Sequence, residues 1–192
     1  MKKILFLFIL GSLLLTSCND SNSSEDDNFD ESLYDFKSYN LEPFDIPATI
    51  MLPDETSNIG AATNIEMLHT EGDFKWEMNI GPNFHLRIDD WGDDKQILQA
   101  EKDKLKDLEF YKISYLKNEP ELLIYKRELI VKGHKKASTK VGTEHTTYHI
   151  FCMKEINGII YVFKNKDEGS PKKIVDLLEK SIKSVKSNNK EA

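Results

Sequence analysis

The chain is 192 residues long and carries 33 acidic against 26 basic side chains, a net charge of −7. A surface of that sign repels phosphate backbones and anionic headgroups at long range, which argues against nucleic acid as a partner. The length suits one domain with a tether, and two cysteines in a chain of this size do not make a disulfide framework.

Lys2 and Lys3 stand before an apolar run from Ile4 to Leu15, and Thr16-Ser17-Cys18 follows. A basic start, a short apolar stretch and small residues at its end are the three parts of a secretory signal. The run is 12 residues, interrupted by Gly11-Ser12, whereas a membrane-spanning helix needs about 20. Leu15-Thr16-Ser17-Cys18 resembles the lipobox of bacterial lipoproteins, in which a leucine sits three residues before an obligatory cysteine. The resemblance implies diacylglycerol on the Cys18 sulfur and cleavage after Ser17, so that residues 1–17 are a signal peptide. Two or more acyl chains on one residue anchor stably where a single chain does not. The mature chain is therefore expected on a membrane outside the cytoplasm without spanning it, on the periplasmic side of the outer membrane or at the cell surface. The competing reading is a secreted protein with a chance cysteine near its cleavage site. Loss of residues 1–17 removes two lysines and no acid, which takes the net charge from −7 to −9.

Residues 19–31 hold six acids, no base and a single apolar side chain, Phe29. Such a segment cannot bury enough surface to fold, and residues 18–40 read as an acidic disordered tether. An acidic cluster soon after a lipidated cysteine also resembles the surface-export signals of lipoproteins in some gram-negative bacteria; a merely solubilising linker is the plain alternative.

A single domain is expected over 41–187, with 188–192 a polar tail. Ile46–Leu52 reads as its first strand, flanked by Pro47 and Pro53, and Ile65–His69 as a weaker second. Phe74, Trp76, Met78 and Ile80 alternate with Lys75, Glu77 and Asn79, and Phe84, Leu86 and Ile88 alternate with His85, Arg87 and Asp89. Gly81-Pro82-Asn83 turns the chain between them. Pairing Ile80 with Phe84 sets Met78 opposite Leu86 and Trp76 opposite Ile88. The other face then pairs Glu77 with Arg87 and Lys75 with Asp89, and opposite charges on both polar rungs favour this register.

Asp93 with Gln96 three residues on reads as a capping box, and Ile97, Leu98, Leu105 and Leu108 make the apolar stripe of a helix. Further strands are expected at Tyr111–Tyr115, Leu122–Val131, Thr146–Glu155 and Ile159–Lys164, the last two joined at Asn157-Gly158, the strongest short hairpin signal. Ser170-Pro171 opens a last helix, with serine as cap. Ile174, Leu177, Leu178, Ile182 and Val185 keep helical spacing there, and Asp176–Lys180 and Glu179–Lys183 are i,i+4 pairs. Leu122–Tyr125 and Ile159–Phe163 are apolar at every position, so both faces of those strands must be covered. The fold class is α+β: a mainly antiparallel sheet with helices packed on its faces, an α/β/α sandwich. The order of elements resembles the PsbP-like α/β/α family, which includes small bacterial lipoproteins. The resemblance is carried by Ile50-Met51-Leu52-Pro53, the mid-chain helix after a hairpin, and Leu178-Glu179-Lys180-Ser181-Ile182, over about residues 41–186. Its members are mostly non-enzymatic binding or assembly proteins, an implication by fold analogy only.

Few residues point to chemistry. Cys152 lies among strand-forming residues, where a small buried apolar role is expected, and His149, an odd number of positions away on a strand, faces the other side. Asp89, Asp90, Asp93 and Asp94 place four carboxylates in six residues, but their spacing does not fit a calcium loop, and acids at a helix start serve capping and the helix dipole. His145 and His149 have the spacing of a helical metal pair, yet Thr146-Thr147-Tyr148 favours a strand, which holds them about 13 Å apart. Lys132, Lys135, Lys136 and Lys140 crowd one loop and are candidates for contact with anionic glycans or lipid headgroups; a solvated hairpin loop is the ordinary explanation. No phosphate loop, G-x-S-x-G or H-E-x-x-H occurs, and no cofactor is implied. Three functions follow, of which the first is preferred. The first is a non-enzymatic lipoprotein held to the membrane by Cys18 and binding an envelope protein or ligand. The others are a small hydrolase or metal-dependent enzyme built on the acidic cluster, and an anion binder using the lysine loop.

Overall fold

The computed structural model describes residues 35–54, 64–70, 72–131, 135–136 and 146–188. The signal segment 1–17, Cys18, the tether up to residue 34, Lys132, Lys140, His134, His145 and residues 189–192 lie outside the described residues, as do the side chains of Lys135 and Lys136.

Period-two alternation in two neighbouring segments makes the hairpin of β4 (Lys75–Ile80) and β5 (Phe84–Asp90). Its register is the expected one, from Ile80 opposite Phe84 to Lys75 opposite Asp89. β3 (Ile65–His69) pairs with β4 on its other side. After α1 (Ile97–Lys106) come β6 (Tyr111–Asn118), β7 (Leu122–Val131), the two-residue β8 (Lys135–Lys136), β9 (Thr146–Ile156) and β10 (Ile159–Lys164). At the β9–β10 turn Asn157 and Gly158 have φ of 52° and 86°, the pair of positive values that a type I′ turn requires.

The large sheet runs β3-β4-β5-β10-β9-β7-β6, with β8 added to β7, and every pairing is antiparallel. Two meanders thus meet where β10 lies against β5. The chain leaves the middle of the sheet after β5 and must reach the far edge at β6, and α1 is the connection. A second sheet has the order β1-β2-β11, from β1 (Phe36–Asn40), β2 (Ala48–Pro53) and β11 (Lys186–Ser187), the last following α2 (Lys172–Lys183).

Two apolar clusters flank the large sheet. One joins Ile174, Leu177, Leu178 and Ile182 of α2 to Trp76, Met78, Leu86, Ile88, Ile150, Cys152 and Phe163, together with Ile50 and Leu52 of the small sheet. The other joins Ile97, Leu98 and Leu105 of α1 to Leu123, Tyr125, Phe151, Ile160 and Val162. Leu122–Tyr125 and Ile160–Phe163 are buried at every position, because alternate side chains enter opposite clusters.

Several boundaries differ from the sequence expectation. Among the described residues, strand structure extends into the range given to the tether: β1 pairs with β2 from Phe36–Pro53 to Asn40–Thr49. Lys180 Nζ lies 4.3 Å above the Phe36 ring, so α2 supplies a contact that the local sequence does not reveal. The strand expected at Ile46–Leu52 is the second of the fold and spans Ala48–Pro53. At the other end, β11 pairs with β2, and the Asn188 N–H donates to the Pro47 carbonyl at 2.9 Å. Phe74 does not continue the buried row of β4; it is 66% exposed, because the strand starts only after the turn in which the Asp73 N–H donates to the Thr70 carbonyl.

Asp93 is not a cap. α1 begins at Ile97 with Gln96 at the N-cap, and Asp94 accepts the Gln96 N–H at 2.8 Å. Ser170 does not cap α2 either, since buried Asn165 takes its hydroxyl as a hydrogen-bond acceptor at 3.0 Å, and Pro171 occupies the N-cap. Glu179–Lys183 forms at 2.6 Å as expected, and Asp176 pairs at 2.7 Å with Lys172, one turn toward the N-terminus of α2.

Candidate functional site

The face of the large sheet that closes against α1 on β7, β9 and β10 continues onto β3, β4 and β5 with different residues. There it carries Lys75 and Glu77 from β4, Arg87 and Asp89 from β5, and Lys164 at the end of β10, opposite Arg87. Together with Leu68, Trp91 and Asp167 these line an open cavity of about 530 Å³, within the range of small-ligand sites.

Five of its charged groups are bound to one another. Arg87 Nε is 3.4 Å from Glu77 Oε1 and its Nη1 is 3.1 Å from Asp167 Oδ2. Lys164 Nζ lies 2.6 Å from Asp89 Oδ2, and Asp89 is 5% exposed. A buried carboxylate needs such a partner, since an unpaired charge there would be expelled or neutralised. The floor is thus a lattice of ion pairs assembled from two strands of the hairpin, a third strand and the β10–α2 loop.

One rim is apolar and held by backbone. Trp91 follows β5, and its side chain is 42% exposed. Its N–H donates to the Ile160 carbonyl at 2.9 Å, and the Ile160 N–H donates to the Gly92 carbonyl at 2.6 Å. Asp90 Oδ1 accepts the Gly92 N–H at 2.8 Å, and Gly92 has φ +60°, a conformation few other residues adopt readily. Leu68 on β3, 46% exposed, lies at the other side of the cavity.

The β10–α2 loop is fixed from below. Arg127 Nη2 donates to the carbonyls of Asp167 at 2.9 Å and Glu168 at 3.2 Å, and its guanidinium lies 4.7 Å above the Tyr111 ring. Next to it His149 stacks on Tyr125, ring centroids 4.9 Å apart, with Nε2 2.9 Å from Thr147 Oγ1. Burial, and then the charge of Arg127, push the His149 pKa down to about 3, so the ring is neutral.

The four carboxylates singled out in the sequence do not converge. Asp89 is taken by Lys164 and enters the groove, whereas Asp90 and Asp94 close turns by accepting the N–H two residues on. Asp93 joins none of these. Among the described residues no three His, Cys, Asp or Glu side chains come together as metal ligands. Cys152 is buried in the cluster with α2, and burial pushes its thiol up to about 12; His149, beside Tyr125, faces the opposite side of the sheet. His69 stacks on Trp76 at 4.8 Å, and His85 bonds to the Pro82 carbonyl. Of the lysine loop, the backbone of Lys135 and Lys136 pairs with Val131 and Ile130.

Sequence reasoning found the Glu77–Arg87 and Lys75–Asp89 rungs but used them only for register. It missed Trp91, Lys164 and Asp167 as their neighbours. The one available signal was a tryptophan set among four acids just past a strand, where no core demands it. Lys164 and Asp167 have no local signal, because β10 reaches β5 only through the sheet order.

No family model matches the chain, and comparison with curated proteins and with solved structures gives no match either.

Proposed function

We propose that the chain is a lipid-anchored lipoprotein of the cell envelope, non-enzymatic, which uses the groove on β3, β4 and β5 to bind an envelope partner or ligand. The observation that carries this reading is that Arg87, Lys164, Glu77, Asp89 and Asp167 are paired with one another across the groove, beside an exposed, backbone-held tryptophan. That is a surface for recognition, because a catalytic base or nucleophile needs a group free to take up or release a proton. His149 and Cys152, whose titration is strongly displaced, are packed in the core and do not line the groove; catalytic sites concentrate such groups in the cleft. Anchoring rests on Leu15-Thr16-Ser17-Cys18 and the basic and apolar segments before it. Two clusters, one with each helix, support the α/β/α layering that the PsbP-like resemblance implies.

Expression of the full chain with labelled palmitate tests the anchor. Label is expected in the parent and absent from Cys18→Ala, which moves to the soluble fraction; a variant that still pellets with membranes and resists salt washing overturns it. A photo-crosslinking residue at Leu68 tests the groove. Adducts are expected from Leu68 and not from Lys104, on the exposed side of α1, and equal labelling from both positions overturns the choice of face.

A further inference from the structure

We infer that the groove accepts a neutral, hydroxyl-rich ligand, a short oligosaccharide, laid across the ion-pair lattice with a sugar ring against Trp91. This rests on the groove being the binding face, and it adds the ligand's chemistry.

The charge pattern selects against ions. Lys75, Arg87 and Lys164 stand among Glu77, Asp89, Asp167 and Asp73, so the lining is nearly balanced, with one carboxylate in excess and no positive field that would draw in an anion. A phosphate or carboxylate that took over Arg87 or Lys164 would displace Glu77 and Asp167 from the one, or Asp89 from the other. Either displacement would leave a partly buried carboxylate without its partner.

A hydroxyl group faces no such penalty. Each carboxylate has several lone-pair positions, and the ion pairs leave some of them open; Arg87 uses Nε and Nη1 of its five N–H donors in these pairs. Donors and acceptors therefore alternate over the floor of the groove, at the lateral spacing of about 5 Å between paired strands. Neighbouring hydroxyls on a sugar ring, each both donor and acceptor, match that pattern without breaking an ion pair, and hydrogen bonds to charged groups are the stronger kind.

The rim supplies the other half of the match. A sugar ring has an apolar C–H face, and Trp91 offers a broad aromatic surface that is 42% exposed. The turn holding Trp91 is tied to Ile160 on both sides and closed by Asp90, so little ordering remains to be done on binding. An extended peptide would instead seek the unpaired backbone of a strand edge, whereas this floor is a sheet face.

The test is affinity electrophoresis of the full chain in a polyoxyethylene detergent, through gels containing a neutral β-glucan, α-glucan, xylan or galactomannan. At least one is expected to retard the protein, by the same amount within twofold at low and high salt. Trp91→Ala is expected to weaken that retardation at least tenfold, and Trp91→Phe to keep most of it. The bound glycan should also shift tryptophan emission of the unaltered protein to shorter wavelength, a readout independent of whether a variant folds. Retardation by none of the four glycans, retardation unchanged in Trp91→Ala, or binding only to heparin or anionic vesicles and lost with salt would each overturn the inference. Protein adducts from Leu68 with no glycan bound would do so too, while leaving the binding role itself standing.

Discussion

Gly169 ties the stability of the fold to the geometry of the groove, and Gly169→Ala should separate two costs. Its φ is +90°, and an added Cβ would lie 2.6 Å from Thr147 Cβ and 2.7 Å from His149 Nε2. The positive φ costs an L-residue about 1–3 kcal/mol. The overlap adds about 1–3 kcal/mol, the usual penalty for forcing atoms into a filled space. His149 has little room to yield, since its ring is stacked on Tyr125 at 4.9 Å and only 8° from parallel. The total expected is about 2–6 kcal/mol. Gly158 is the matched control: φ is +86°, and nothing lies within 4 Å of its added Cβ, so Gly158→Ala measures strain alone. Urea unfolding of the full chain in mild detergent, followed by far-UV circular dichroism, gives both values from midpoints at a common slope. The Gly169 N–H also donates to the Lys166 carbonyl at 2.9 Å, closing the turn that presents Asp167 to Arg87. Gly169→Ala should therefore weaken ligand retention as well, whereas Gly158→Ala leaves it alone. If Gly169→Ala costs no more than Gly158→Ala, the close packing of the β10–α2 loop on His149 is refuted.

Ser181→Ala should stabilise the protein. The serine is fully buried in α2, its hydroxyl has no hydrogen-bond partner among the described residues, and alanine is the better helix former. A gain of about 1 kcal/mol is expected, seen as a melting temperature higher by about 2–4 °C; a lower melting temperature would show that the hydroxyl is satisfied. The pH dependence of stability should carry the mark of His149. Its pKa falls from the ordinary 6.5 to about 3 on folding, so the unfolded chain takes up the proton first. Stability from this group is complete above about pH 6.5 and declines by about 1.4 kcal/mol per pH unit as pH falls toward 3. His149→Gln should flatten that limb of the stability–pH curve, and superimposable acid limbs would show that the imidazole is not desolvated.

Much of the fold was legible because its signals are local. The β4–β5 register follows from two alternating runs across a short loop, with charges opposed on both polar rungs. Asn157-Gly158 fixes its hairpin by the positive φ that both residues adopt. The fully apolar runs in β7 and β10 declare that both their faces are covered, and the helical stripes of α1 and α2 supply residues to do it.

Whatever depended on residues far apart in the chain was settled only by tertiary structure. β1 looks like the end of an acidic tether until β2 and Lys180 are beside it. Ser170 and Asp93 have the right side chains for capping, but Asn165 claims the serine and Asp94 closes the turn before α1. The four clustered acids shared one stretch of sequence, yet only Asp89 reaches the groove, because the strand and the turns after it send the rest elsewhere. The groove itself exists because two meanders meet at β5 and β10, bringing Lys164 and Asp167 to Asp89 and Arg87. Local propensity sets which residues form a strand and which face they show; the order of strands, which determines their neighbours, is set by how two helices and two sheets can bury their apolar faces together.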